Sequence, residues 1–332
     1  MLYLGTPIRA TGIKLKMRNA SFTRPIQIFH EQVEALDAAM VISRASPKKE
    51  PVHDLRTAAR CVEAQLTLLD LLRGLPPHKD QSDEVRKRLK KVRQATSVVR
   101  DLDVQRDLIQ GDASAKAKWG KTSRDDSMRR DAKQLRKHLK KRREYRAIEL
   151  VQVIRAEEPK LALALLNLED ALKPAKDRAV SATQLAMRIE RWFCPNAKHF
   201  RQAAAAVSTR TKKKNHTANH VQSIEMLNED ALHNLRKRAK LCRYMVESLP
   251  PDFLMAKQMA SRFKVIHEAG GYWHDWLLLL EIAANREGKH AGLTERYAEH
   301  QAATLADYRS RLVDVLPGVV SADTHRAGSS VS

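Results

Sequence analysis

Residues 52–69, "VHDLRTAARCVEAQLTLL", carry the pattern that decides the fold class. Their apolar side chains recur at steps of three and four, the spacing of one face of an α-helix: Leu55, Ala59, Val62, Leu66 and Leu69. Most of the chain shows the same periodicity. Glycine numbers only 11 in 332 residues, and no stretch alternates apolar and polar residues over the length of a strand. The sequence therefore predicts an all-α protein.

Segments rich in proline, glycine, serine and aspartate divide this pattern into a series of predicted helices. The helices span residues 25–43, 52–73, 82–109, 125–156, 158–172, 178–193, 222–248, 252–268, 272–287 and 293–315. The segment 208–220, "STRTKKKNHTANH", is predicted to be a mobile basic loop. We leave residues 1–24 unassigned and expect residues 313–332 to form a disordered tail.

A cationic row runs beside the apolar stripe of the first motif. His53, Arg56 and Arg60 lie three and four residues apart, so a helix places them on one face about one turn from each other. Residues 232–244, "LHNLRKRAKLCRY", repeat this pattern with the members His233, Arg236, Lys240 and Arg243. A single charged row is usually a solvated helix face. Its recurrence among neighbours that mostly differ favours a binding role.

Other features repeat at a fixed offset. Leu-Pro-Pro follows each motif, at Leu75–Pro77 and again 174 residues later at Leu249–Pro251. On the next predicted helix, the basic residues of the first copy are Arg86, Lys90, Arg93 and Arg100. The last three correspond at the same offset to Lys264, His267 and His274. We therefore predict an internal repeat with halves at about 25–172 and 178–312.

The composition indicates a polyanionic partner. Lys and Arg number 61 against 39 Asp and Glu, a net charge of +22. Residues 86–146 concentrate this charge, with 22 Lys and Arg against eight Asp and Glu. If two motif helices pack through their apolar stripes, the neighbouring cationic rows converge on one surface. A bound anion would then relieve the repulsion, and Arg, Lys and His all suit phosphate oxygens.

The remaining features favour a soluble protein of a reducing compartment. Only three cysteines occur and none forms a C-x-x-C pair, so we expect neither a disulfide framework nor a metal site. The N-terminus lacks the apolar run of a signal peptide, and the most apolar segment, "WLLLLEIAA" at 276–284, is too short to span a bilayer. We predict a cytoplasmic protein with no membrane contact and no cofactor.

The quoted motifs resemble those of a known family. "VHDLRTAAR", "VVRDLDV" at 98–104, "LHNLRKRAKLCRY" and "HDW" at 274–276 look like the two copies of the conserved histidine α-helical domain (CHAD), over residues 25–312. The resemblance implies a fold of two pseudo-symmetric four-helix bundles whose basic surface binds inorganic polyphosphate. It also implies association with polyphosphate granules. The chain lacks the Glu-x-Glu-x-Lys signature of the triphosphate-hydrolysing domain found in some members, so it resembles a stand-alone binding module.

The resemblance assigns phosphate-binding roles to the repeated basic residues. The first motif supplies His53, Arg56 and Arg60, and its second copy supplies His233, Arg236, Lys240 and Arg243. Arg100 and His274 match the second motif, and the other repeated cations complete the predicted site: Arg86, Lys90, Arg93, Lys264 and His267. After Arg60 the chain has Cys61 and Glu63 where the family usually has further basic residues. We therefore expect the first copy to bind more weakly.

An enzymatic function fits part of the sequence. His-Asp pairs at 53–54 and 274–275 superficially suggest a metal-dependent HD phosphohydrolase. The repeat preserves neither pair, because Asn234 stands at the acidic position of the first and Arg100 at the histidine position of the second. Arginine has no lone pair to give a metal ion, whereas it can replace another phosphate-binding cation. We therefore predict no catalytic activity.

Nucleic-acid binding is the main alternative, because the same charge attracts DNA and RNA. Aromatic residues make up only 5% of the chain, and the basic segments contain almost none of them. A protein that binds single strands or reads bases usually needs aromatic stacking platforms. We expect only weak nucleic-acid binding, at low salt. A scaffold that recruits acidic proteins is a third alternative.

Overall fold

The computed structural model describes residues 21–114, 122–193, 228–288 and 292–316. Within these ranges the helices are α1 (Pro25–Ala45), α2 (Lys49–Asp70), α3 (Lys79–Ser114), α4 (Ser123–Leu172), α5 (Ala182–Phe193), α6 (Glu229–Val246), α7 (Leu254–Glu287) and α8 (Gly292–Val315). A 3₁₀ turn, Lys173–Ala175, follows α4. Two short strands, β1 (Phe22–Thr23) and β2 (Val180–Ser181), pair in antiparallel orientation. The predicted all-α fold class is confirmed.

The predicted division at residue 157 is wrong, because α4 runs without interruption through Pro159. Proline removes one backbone donor and normally ends or kinks a helix. Here Pro159 lies on the exposed side, while Ile154, Leu161 and Leu168 continue one fully buried stripe across it. Packing of that stripe against the neighbouring helices outweighs the lost hydrogen bond.

The predicted division around residue 270 is also wrong, because α7 continues through Gly270 and Gly271. The buried stripe of α7 runs from Phe263 through Ile266 to Trp273 without a change of register. Gly270 belongs to this buried face. A Cβ atom at that position would lie 2.7 Å from the Tyr308 ring on α8, so glycine permits close contact between α7 and α8.

The other differences are at element ends. Residues 180–181, predicted as helix, form β2, and Phe22–Thr23 in the unassigned N-terminal segment form β1. Helix α8 ends at Val315, as predicted for that helix, so residues 313–315 are helical and are not part of the expected tail. The predicted loop 208–220, and the rest of the tail from residue 317, lie outside the described residues.

The two motif helices pack side by side. Helix α1 packs on α2, α3 on α4, α6 on α7 and α7 on α8, while α2 packs directly on α6. Leu55 and Ala59 of α2 belong to the same core as Leu235 and Ala239 of α6. The predicted halves therefore share one continuous core. Their division into two four-helix bundles stays a prediction.

A second, smaller core joins α3 and α4 to α7 and α8. Leu102 and Leu135 come from the first pair, and Leu279 and Tyr297 from the second. Beside this core, the nearly fully buried carboxylate of Asp112 accepts hydrogen bonds from Arg296 and His300. No helix in the described part of the chain is long and apolar enough to cross a membrane.

Candidate anion-binding site

The candidate site lies where α2, α3, α6 and α7 approach one another. On α2, Leu55, Ala59 and Val62 are fully buried and fix the orientation of the helix. Arg56 and Arg60, which flank this stripe, are consequently half-buried at the boundary with α6. On α6 the buried Leu235 and Ala239 orient the second cationic row in the same way.

Ten of the predicted residues form one electrostatically connected group, which we call the cationic cluster. Each of them interacts with at least one other member. The members are Arg56, Arg60, Arg93, Arg100, His233, Arg236, Lys240, Arg243, His267 and His274. The structure thus brings the basic residues of both repeats together, as the packing of the motif helices requires.

Short-range contacts order the cluster on the α6–α7 side. The rings of His233 and His274 lie 4.5 Å apart between centroids. Arg236 Nη2 donates to His233 Nδ1 over 3.5 Å, which requires an imidazole nitrogen without a proton. On the α2–α3 side, Arg56 Nε donates to Ser97 Oγ over 3.2 Å.

Carboxylates neutralise the outer members of the cluster. Glu63 Oε2 lies 2.7 Å from Arg60 Nη1 and 3.5 Å from Arg93 Nε. Arg100 Nη1 lies 3.3 Å from both Asp101 Oδ1 and Asp275 Oδ1. Arg60, Arg93 and Arg100 are therefore partly occupied by internal partners.

Arg243, at the far end of the second row, is also paired. Its Nε lies 3.2 Å from Glu247 Oε1 and its Nη1 lies 3.8 Å from Glu268 Oε1. By contrast, within the described ranges no carboxylate oxygen lies within 4.0 Å of Arg56, Arg236 or Lys240. We call these three the central cations.

The pKa values of all three central cations are lowered. Burial lowers the pKa of Lys240 to about 6, and the four neighbouring arginines add to the shift. Burial lowers the pKa of Arg56 to about 10, with further repulsion from Arg100 and Arg60 and partial opposition from Asp101. Burial likewise lowers the pKa of Arg236. An anion placed among these groups would offset both the burial and the repulsion.

The three histidines of the cluster are neutral at physiological pH. Burial, with repulsion chiefly from Arg236, lowers the pKa of His233 to about 4 and that of His274 to about 3. Burial together with Lys240 lowers the pKa of His267 to about 3. Each neutral imidazole can donate one hydrogen bond to an anion without adding charge to the cluster.

The other four predicted residues are not members of the cluster. His53 is exposed and lines a small cleft together with Arg100. Lys90 and Lys264 are exposed, and Lys264 Nζ lies 4.0 Å from Glu268 Oε1. Arg86 is held by Asp70 and, over 3.1 Å, by Asp83.

Two residues of the site, Lys237 and Asp275, were not predicted from the sequence. Burial lowers the pKa of Lys237, with repulsion from Arg236 and Arg60, so this lysine belongs to the edge of the cluster. Its position four residues after His233 was the available signal. Burial raises the pKa of Asp275, which positions Arg100. In the sequence, Asp275 follows His274 as Asp101 follows Arg100, but only the fold shows that Asp275 reaches across to α3.

No group of three or more His, Cys, Asp and Glu side chains in the described residues is arranged to hold a metal ion.

Two solved structures share this fold. The crystal structure of the CHAD domain from the plant Ricinus communis is similar with a TM-score of 0.52 and 17% identity, over 93% of this chain and 94% of that one. The structure of PptA from Streptomyces chartreusis is similar with a TM-score of 0.56 and 18% identity, over 89% of this chain and 96% of that one. No curated protein matches the chain.

The family model of the CHAD domain matches residues 27–284, which include both motif helices and every member of the cationic cluster. The match covers most of the chain, and the all-helical fold agrees with it. This protein therefore belongs to the CHAD domain family.

Proposed function

We propose that the protein binds inorganic polyphosphate through the cationic cluster, without transforming it. The observation that carries this proposal is the convergence of both repeats on Arg56, Arg236 and Lys240, which lack carboxylate partners among the described residues. The CHAD family is associated with polyphosphate, which supports the proposed ligand. Recruitment to polyphosphate granules in the cell is part of the proposal.

The chemistry of the cluster suits a chain of phosphates without bases. Guanidinium groups bind phosphate oxygens in a fork, and a lysine ammonium adds a compact charge. Trp273 and Trp276 lie next to His274 on α7, but they are 0% and 2% exposed, so they are core side chains and not stacking platforms. A flexible polyphosphate segment can follow the cations without needing such platforms.

The non-catalytic part of the proposal is supported by how the two repeats differ. Arg100 and His274 occupy equivalent positions and both belong to the cluster. Both side chains carry N–H donors, so a role in donating hydrogen bonds to an anion tolerates this exchange, whereas a metal ligand or general base does not. The purified protein is therefore expected to leave polyphosphate chain length unchanged on an electrophoretic gel, with or without divalent cations.

A competition titration tests the ligand. Long-chain polyphosphate, duplex DNA and single-stranded DNA are titrated at equal phosphate concentration and near-physiological salt. We expect the protein to prefer polyphosphate, with an affinity that falls steeply with salt as counterions are released. Equal or tighter binding of either nucleic acid would contradict the proposal, and would favour general polyanion binding.

A further inference from the structure

Lys240 stands in surroundings unlike those of the other basic residues. It is half-buried on α6, at the contact of this helix with α2. Its electrostatic neighbours include four arginines: Arg56, Arg60, Arg100 and Arg236. Among the described residues, no carboxylate oxygen lies within 4.0 Å of its Nζ. An ammonium group at this place would be enclosed by like charges.

The helices packed around Lys240 carry mostly basic or neutral groups toward it. The groups that interact with Lys240 are Arg56, Arg60 and Cys61 on α2, Arg100 on α3, Arg236 on α6 and His267 on α7. The charged and titratable groups next to these are Glu63, Asp101, Arg243, Tyr244, Glu247 and Asp275.

The carboxylates nearby are bound to other residues. Arg100 contacts both Asp101 and Asp275. On α5, which also packs on α6, Glu190 is held by Arg262. Glu63 is held by Arg60 and Arg93, and Glu247 by Arg243. Among the described residues, no carboxylate is therefore left as a close counter-ion for a protonated Lys240.

The protonation state of Lys240 follows from these surroundings. With a pKa of about 6, the amine is mostly neutral in the free protein at pH 7.5. A bound phosphate chain would place negative charge next to Lys240. That charge would raise the pKa of Lys240 back toward the ordinary value of 10.5. The same amine would then be protonated at pH 7.5.

We propose that Lys240 takes up one proton from solvent when a polyphosphate segment occupies the cationic cluster, so that binding weakens as the pH rises. This inference rests on the proposed function. In the step, the amine lone pair binds a proton from the buffer, and the ammonium so formed donates a hydrogen bond to a phosphate oxygen. No other bond is made or broken.

The pH dependence of binding follows from the pKa of Lys240 in the free and bound states. Below the pKa of free Lys240, both states hold the proton and affinity does not depend on this group. Between the pKa values of the free and bound states, binding takes up a proton, and affinity falls by at most about tenfold for each pH unit. We therefore expect affinity to fall by at least about tenfold from pH 6.5 to 8.5.

Calorimetry measures the proton directly. Long-chain polyphosphate is titrated into the protein at pH 7.5 in two buffers of different ionisation enthalpy and equal ionic strength. Long chains are used because their end groups, whose second pKa is about 6, are then only a small fraction of the phosphates. The wild-type protein should take up about one proton per molecule bound, since one group changes state.

Two variants test the assignment to Lys240. Lys240→Arg keeps a cation that stays protonated, so it should bind without this proton uptake and keep its affinity up to pH 8.5. Lys240→Gln has no cation and should bind at the weaker, high-pH level of the wild type across the whole range. Circular dichroism checks that both variants fold.

The outcomes distinguish this inference from the proposed function. Wild-type binding without proton uptake would overturn the inference and leave polyphosphate binding intact. Equal proton uptake by the wild type and both variants would assign the proton to another group and also overturn it. Absence of polyphosphate binding at every pH would instead overturn the proposed function.

Discussion

At the scale of single residues, Glu63 decides how much of the first repeat is available to a ligand. Its carboxylate contacts both Arg60 and Arg93, which would otherwise face a phosphate chain with full charge. The sequence predicted a weaker first copy from the presence of an acid at this position. The structure identifies the two cations that Glu63 contacts, and the weaker first copy stays a prediction.

Replacing Glu63 should therefore strengthen binding. Glu63→Gln releases two arginines and removes one negative charge, and we expect an affinity for polyphosphate about fivefold higher, equivalent to about 1 kcal/mol. Titration at fixed salt measures the change. Glu144→Gln is the matched control, because Glu144 is an exposed acid on α4 outside the cluster. Equal gains in the two variants would show that only net charge matters.

Which residues belong to the site was predictable in part. Spacing alone identified the two motif rows, because residues three and four apart share a helix face. Spacing could not separate Arg56 from Arg60, since their difference depends on Glu63 and on contact with α6. It also could not show that Lys90 would remain exposed, because exposure is set by which neighbouring helices cover a face.

At the scale of elements, periodicity predicted the helices well and their continuity poorly. Both wrong divisions fell at residues that disfavour helix locally, Pro159 and the Gly270-Gly271 pair. Local propensity is a weak term compared with a buried stripe that continues across the break. The stripe was visible in the sequence, but the neighbours that cover it were not.

The contact of Gly270 with α8 gives a test of element packing. In Gly270→Ala the new Cβ would lie 2.7 Å from Tyr308 Cζ, and we expect a loss of about 1–3 kcal/mol of stability from overpacking. Gly271→Ala is the control, because its Cβ would meet nothing within 4 Å. That variant should gain up to about 1 kcal/mol from helix propensity. Denaturant unfolding measures the stability of both variants. Equal changes in the free energy of unfolding would contradict the role given to the close contact of Gly270 with Tyr308.

At the scale of the whole molecule, an ion pair between Asp112 and Arg296 joins α3 to α8, and His300 is a further donor to Asp112. Asp112 is 2% exposed in its side chain and accepts hydrogen bonds of 2.7 Å from both Arg296 Nε and Nη2, and of 2.8 Å from His300 Nε2. Burial by itself would raise the pKa of Asp112, but the hydrogen bonds from His300 and Arg296 lower it to about 2. Such a pair is stabilising only while the carboxylate is ionised.

This pair predicts a specific acid sensitivity. Asp112→Asn should cost about 3 kcal/mol at pH 7, because it removes the buried carboxylate that accepts two hydrogen bonds from Arg296. The folded pKa is below that of the unfolded chain, so the contribution is complete above about pH 4 and is lost as the pH falls through about 2. The stability difference between wild type and variant should shrink over that interval in denaturant titrations.

The control for this prediction is an exposed ion pair whose acidic member, Asp107, lies on α3 like Asp112 and whose basic member, Lys49, lies on α2. Asp107 and Lys49 are each 55% exposed, and Asp107→Asn should cost less than about 1 kcal/mol at any pH. A difference for Asp112→Asn that stays constant down to pH 2 would contradict the account of this pair.

The central claim is that both repeats build one binding site, beyond the general attraction of a basic protein for polyanions. It is tested most directly by a polyphosphate titration of two variants that differ in where charge is removed. Arg56→Ala with Arg236→Ala removes one central cation from each repeat. The second variant removes three exposed cations from α4 by replacing Lys133, Lys137 and Lys141 with Ala.

The account predicts that the double variant loses at least about 100-fold in affinity, since a hydrogen bond to a charged partner contributes about 1.5–3 kcal/mol. The triple variant should lose less than about tenfold, because exposed lysines must be immobilised on binding whereas the central cations are already held. Circular dichroism confirms folding of both. If the triple variant loses as much affinity as the double variant, binding follows total charge and the claim of a shared site is contradicted.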